Sequence, residues 1–76
     1  MDETEVKAYL IETDQDFRKL ADQHQTYERE LEALLKKTYL NERDHFEEKV
    51  IKKKKLLLKD QMQRMIHHHQ SHNSVH

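Results

Sequence analysis

Neither glycine nor proline occurs at any of the 76 positions. Those two residues break helices and supply most tight turns, glycine by admitting positive φ and proline by fixing φ and removing an N–H donor. A β-rich fold needs several such turns, and this chain cannot make them cheaply. An all-α fold is expected. At this length a single domain is expected. Leu, Ile, Val and Phe together fill 17 of the 76 positions, little above the ~20% below which disorder is the default. The chain can bury an apolar stripe but not a thick core. It has no cysteine, so disulfides and thiolate metal sites are excluded. Small chains without such staples reach stability by joining partner subunits, which makes a homo-oligomer the expectation.

The first half carries a heptad. Val6, Leu10, Thr13, Phe17, Leu20, His24, Tyr27, Leu31 and Leu34 follow at alternating steps of four and three, which places them on one face of a helix. A helix over about residues 3–37 follows, with Asp2 or Thr4 as its cap and acidic residues in its first turn. Continued in register, the seam would take up Thr38, Asn41, His45, Glu48, Lys52 and Lys55, which could not hold two helices together. Asn41 is a good N-cap, and Asp44 three residues later resembles a capping box. A turn at about 38–41 is therefore expected, with a second helix over about 42–67. One uninterrupted helix is the alternative, since nothing in the segment forbids it.

In the second half Phe46, Val50, Ile51, Leu57, Leu58, Met62, Met65 and Ile66 spread over about 200° of a helical wheel. A two-helix seam needs a narrower stripe, so this helix should touch more than one neighbour, as in a bundle of several chains. Leu56 falls off the arc and should be exposed. The expected architecture is an antiparallel two-helix hairpin, coiled-coil-like, over residues 1–69, assembling into an oligomeric bundle. Its interface would be Leu10, Phe17, Leu20, His24, Tyr27, Leu31 and Leu34 against Phe46, Val50, Ile51, Leu58, Met62 and Met65. Fold-back about residues 38–41 pairs Leu34 with Phe46, Leu31 with Val50, Leu20 with Met62 and Phe17 with Met65. Residues 70–76, polar and rich in histidine, are expected to be a disordered tail.

Charge supports the fold-back. Residues 1–40 carry ten acids and six bases, and residues 41–76 five acids and eight bases. Opposite signs favour laying one half on the other. Glu3–Lys7, Asp14–Arg18, Glu32–Lys36, Glu48–Lys52 and Asp60–Arg64 also stand at i,i+4 with the acid first, each able to contribute ~0.2–0.5 kcal/mol to a helix.

The string Ile51-Lys-Lys-Lys-Lys-Leu-Leu-Leu-Lys-Asp-Gln-Met62 resembles the signature of the YdcH-like family of small bacterial proteins of unknown function. Lys52, Lys53, Lys55, Leu56, Leu58, Lys59 and Asp60 match its pattern directly, and Ile51 and Met62 are apolar stand-ins. Upstream, Leu20 and His24 match, Leu31 nearly matches, Tyr27 replaces a leucine, and Gln23 stands where an acid often precedes the histidine. The resemblance covers about residues 17–66. It implies a helical, coiled-coil-like protein and no established activity.

Three groups could carry chemistry. His24 lies in the seam with only Tyr27 and Thr13 near it, so a hydrogen-bonded histidine that sets register is expected. Lys52, Lys53, Lys55 and Lys59 form a basic surface on the second helix. They point around the helix rather than into one patch, no stacking aromatic follows Phe46, and the net charge is −1, so nucleic acid is not the expected partner. Lys54 and Lys55 should lay their stems along the apolar arc. His68 and His72 share an i,i+4 face that can chelate a divalent metal weakly, but no carboxylate or thiolate stands beside them, so no metal or other cofactor is expected. No catalytic constellation is visible, and an enzyme is not expected. The acidic start lacks an apolar stretch and the longest aliphatic run is Leu56-Leu57-Leu58, so neither signal peptide nor membrane span is expected, and the cytoplasm is the default compartment. The functional expectation is a self-associating helical scaffold or adaptor. The alternatives are a nucleic-acid-associated protein using the second-helix lysines, or a metal-responsive protein using the histidine tail.

Overall fold

A computed structural model describes residues 2–74. They form three helices, α1 (Glu3–Thr13), α2 (Gln15–Leu35) and α3 (Glu42–Ser74). No strand occurs among the described residues, as expected for a chain without glycine or proline. The molecule measures 55 × 19 × 18 Å. At ~1.5 Å per residue α3 alone spans most of that length, and α1 and α2 together lie back along it.

The first arm is two helices where one is expected over 3–37. Asp14 is the reason. Its backbone is extended, at φ −117° and ψ 110°, and it closes α1 and opens α2 at once. Its N–H donates to the Leu10 carbonyl at 2.8 Å, and its carboxylate accepts from the Phe17 N–H at 3.0 Å. Arg18 takes up further carbonyls at the end of α1, donating to Ile11 at 2.9 Å and Glu12 at 3.1 Å. Asp14 and Arg18 thus meet donors and acceptors freed at the break, as helix ends require. Thr13 leaves the predicted seam: it is exposed, and its hydroxyl donates to the Tyr9 carbonyl at 2.8 Å. Asp2 caps α1, accepting from the Glu5 N–H at 2.8 Å.

The second break is the one expected, though it is longer. α2 ends at Leu35 and the connection runs from 36 to 41, not 38 to 41. The Asn41–Asp44 capping box is present: the Asp44 N–H donates to the Asn41 side-chain oxygen at 2.8 Å, and the Asn41 N–H donates to the Asp44 carboxylate at 3.2 Å. Lys37 closes the turn by pairing with Asp44 at 3.0 Å. α3 then runs without a break to Ser74. Residues 70–74 are therefore helical where a disordered tail is expected, and 75–76 lie outside the described residues. A polar sequence does not prevent a helix from propagating once its earlier turns are packed, because nucleation is the costly step.

Two apolar clusters hold the elements together. Val6 and Leu10 of α1, Phe17 of α2, and Met62 and Ile66 of α3 form the larger, with Leu20, Ala21 and Met65 at its edge. Leu31, Leu34 and Ile51 form the smaller, flanked by Tyr27. Phe17 and Val6 are the most enclosed, at 0% and 1% exposure. The reorientation at Asp14 accounts for this: α1 contacts both α2 and α3 and closes over one end of that pair. These contacts exclude the single unbroken helix. Pairing is shifted from the expected register in the smaller cluster, where Ile51 rather than Phe46 or Val50 packs with Leu31 and Leu34. Phe46 does not join the intrachain core, being 67% exposed.

Candidate functional site

A polar layer separates the two clusters. His24 of α2 is half-buried there. One turn on, Glu28 pairs with Lys55 of α3 at 2.8 Å. Lys55 reaches it as a snorkelling residue should, its stem along the apolar surface and its ammonium at the rim. Lys54 turns the other way, its ammonium 5.5 Å from the centre of the Tyr27 ring, within cation–π range. Burial holds the His24 imidazole below its ordinary value, and the Lys55, Lys7 and Lys59 charges push the same way while Glu28 opposes them. The Lys55 hydrogen bond holds Glu28 below the usual carboxylate range. The His24 side chain makes no hydrogen bond to another described residue; where a hydrogen-bonded histidine is expected, a half-buried imidazole shares the groove with Lys7, Lys55 and Lys59.

Around this layer lies an open groove of about 440 Å³, lined among others by Lys7 of α1, His24 and Glu28 of α2, and Lys52, Lys55 and Lys59 of α3. Lys52 is held by Glu48 of its own helix at 2.8 Å. Among the described residues, no carboxylate lies within ion-pair distance of Lys7 or Lys59. The basic set read from the sequence is thus divided: Lys52, Lys55 and Lys59 face the groove, and Lys53 is exposed elsewhere on α3. Lys7, contributed by α1, belongs with them; sequence spacing does not place it there, because only the break at Asp14 lays α1 across α3.

The second feature is apolar. Phe46 and Leu57 are 67% and 56% exposed, and Val50 is half-buried. At ~100° per residue these three fall within about 40° of one another, roughly 150° around α3 from Ile51, Met62 and Ile66. The broad arc seen in the sequence is therefore two stripes, one turned into the intrachain core and one turned outward. Leu58 and Met65 lie between the core and the surface, both half-buried. Leu56 is exposed at 66%, as its place off the arc requires. Leu35 and Tyr39 add exposed apolar surface around the turn.

Toward the other end, the Tyr9 and His69 rings meet at 5.3 Å. Among the described residues no group of three or more His, Cys, Asp or Glu could hold a metal ion. Of the two suggested chelating residues, His68 is exposed on α3, and the side chain of His72 lies outside the described residues. No helix among those described is long and apolar enough to cross a membrane.

A family model described as "Protein of unknown function (DUF465)" matches residues 17–66. The matched segment runs from Phe17 to Ile66, both buried in the larger cluster, and takes in all of the smaller one. No curated protein and no solved structure matches the chain. The match covers most of the sequence and agrees with the motif around Ile51–Met62, and the chain belongs to this family, the YdcH-like small proteins of unknown function.

Proposed function

We propose that this protein is a cytoplasmic, self-associating helical scaffold or adaptor, whose hairpin-like unit binds through helix faces, and that it is not an enzyme. The outward stripe of Phe46, Val50 and Leu57 carries the reading. An exposed run of large apolar side chains at helical spacing is costly in water, and in soluble proteins such a patch marks an interaction surface. The intrachain core does not use this stripe, so a second helix face is its natural complement. Sedimentation equilibrium tests it. A mass above the monomer at micromolar concentration is expected, reduced to the monomer in Phe46→Asp/Leu57→Asp. A folded wild-type monomer across that range would end the reading.

Association with nucleic acid through the α3 lysines is the weaker reading. Lys7 and Lys59 favour it, being without carboxylate partners on the groove. Against it, Lys52 and Lys55 are already paired with Glu48 and Glu28, and the groove also contains Glu3 and Glu28. Binding to single- or double-stranded nucleic acid at physiological salt should be weaker than micromolar, and a titration giving submicromolar affinity would reverse the order of the two readings.

A further inference from the structure

The outward stripe of α3 has its own heptad register, and its charges distinguish one way of pairing from the other. We infer that two copies join through α3 in antiparallel orientation, Phe46 of each chain packing on Leu57 of the other. This rests on the self-association proposed above and adds the surface and its direction. Stepping by alternating threes and fours, the stripe runs Arg43, Phe46, Val50, Lys53, Leu57, Asp60 and Arg64, with Glu47 and Lys54 along one flank. Exposure of Arg43, Lys53, Asp60 and Arg64 leaves all of them available to a partner, and Asp60 and Arg64 meet only loosely, at 3.5 Å.

Laid parallel, each seam residue meets its own copy. Arg43 would then face Arg43, Lys53 would face Lys53 and Asp60 would face Asp60, while on the flanks Glu42 would approach Glu47 and Lys49 would approach Lys54. Every one of these is a like-charge contact, which the e, g and seam positions of paired helices select against. Laid antiparallel with Phe46 opposite Leu57, Arg43 comes opposite Asp60 and Glu47 comes beside Lys54. By two-fold symmetry each contact occurs twice. Val50 meets the stem of Lys53, whose ammonium can reach water. Both orientations bury Phe46 and Leu57, and only the antiparallel one sets Arg43 against Asp60 and Glu47 beside Lys54 in place of like-charge contacts. Lys54 already leans toward Tyr27, which keeps it on the flank rather than in the seam.

The chain has no cysteine, so single spin labels can be placed cleanly on the full-length protein at Lys53→Cys and, separately, at Arg64→Cys. Antiparallel pairing puts the two copies of position 53 ~10 Å apart and the two copies of position 64 ~40 Å apart, from 1.5 Å per residue and the spacing of packed helices. Short distances at both positions would mean parallel pairing and would overturn the inference. An oligomer by sedimentation with no dipolar coupling at position 53 would show that another face associates, and would overturn it too. A monomer would remove the self-association on which it rests. Charge exchange gives an independent readout: Arg43→Asp should weaken association about tenfold, and Arg43→Asp/Asp60→Arg should restore it, whereas failure of the second change to rescue the first counts against the antiparallel contact.

Discussion

Single side chains differ here in what they contribute, and burial decides the order. Phe17 is fully enclosed between three helices, so Phe17→Ala should cost ~3–5 kcal/mol, the usual range for emptying an aromatic site in a core. Leu31, at 7% exposure, should cost ~2–5 kcal/mol on truncation to Ala. Leu58 is only half-buried and should cost less than Leu31, while Leu56→Ala should stay within ~0.5 kcal/mol, the range of ordinary surface changes. Urea denaturation of the four variants checks the ranking. His24 adds a pH dependence. Its folded-state value lies below the ordinary 6.5, so the unfolded chain takes up the proton first. The stabilisation is complete above about pH 6.5 and declines as pH falls from there toward the folded value. Urea midpoints measured at pH 7.5 and 5.5 should fall in the wild type and fall less in His24→Leu. Asp44 acts at lower pH. The Lys37 hydrogen bond and then the Asn41 N–H hold its carboxyl below the usual range, so its contribution is present above the ordinary carboxylate value and is lost as pH drops through the lowered one.

Among the elements, the two short breaks carry more weight than their length suggests. Asp14 supplies the one extended residue that lets α1 lean across α3, and its carboxylate caps α2. Replacing it with Ala should lower stability by ~0.5–2 kcal/mol, the cost of a lost N-cap. The sharper expectation is structural: if Asp14→Ala allows α1 and α2 to fuse, Val6 and Leu10 move away from Met62 and Ile66, and amide exchange in α1 should rise more than in α2. Equal rises would show that the cap contributes stability without setting direction. At the other break, reciprocal bonds between Asn41 and Asp44 start α3 where no glycine or proline stops the chain. Of the predicted i,i+4 pairs, Glu48–Lys52 and Asp60–Arg64 form. Asp14 and Arg18 are instead committed to the ends of α1 and α2.

At the scale of the whole molecule, a thin core and an exposed apolar stripe belong together. A bundle 18–19 Å across is two helices wide in places, and helix pairs of that thickness bury too little to be robust alone. If the stripe is covered by a second copy, folding and association are linked. The melting temperature should then rise with protein concentration, because binding to the folded state alone stabilises it by mass action. Melting at 5 and 500 μM should show the rise in the wild type and lose it in Phe46→Asp/Leu57→Asp. A concentration-independent melt in the wild type would mean that three helices suffice. Removing residues 70–76 should leave the melting temperature within a few degrees, since Ile66 is the last residue of α3 in the apolar core among the described residues.

The helical class, the connection near Asn41 and the apolar face of each arm follow from local rules that need no partner element: the absence of glycine and proline, a capping pair three apart, and 3.6-residue periodicity. The family motif was legible for the same reason, being a contiguous string. Three things were not. The break at Asp14 lies inside an unbroken heptad, and whether an aspartate caps a new helix or rides on the surface of an old one depends on what Phe17 can pack against. The wide arc of α3 could have been one face of a crowded bundle; only the position of α2 and α1 divides it into an inward stripe of Ile51, Met62 and Ile66 and an outward one of Phe46, Val50 and Leu57. Lys7 joins Lys55 and Lys59, 48 and 52 positions further along the chain, around His24. Periodicity records which residues share a face, but only packing decides what each face meets.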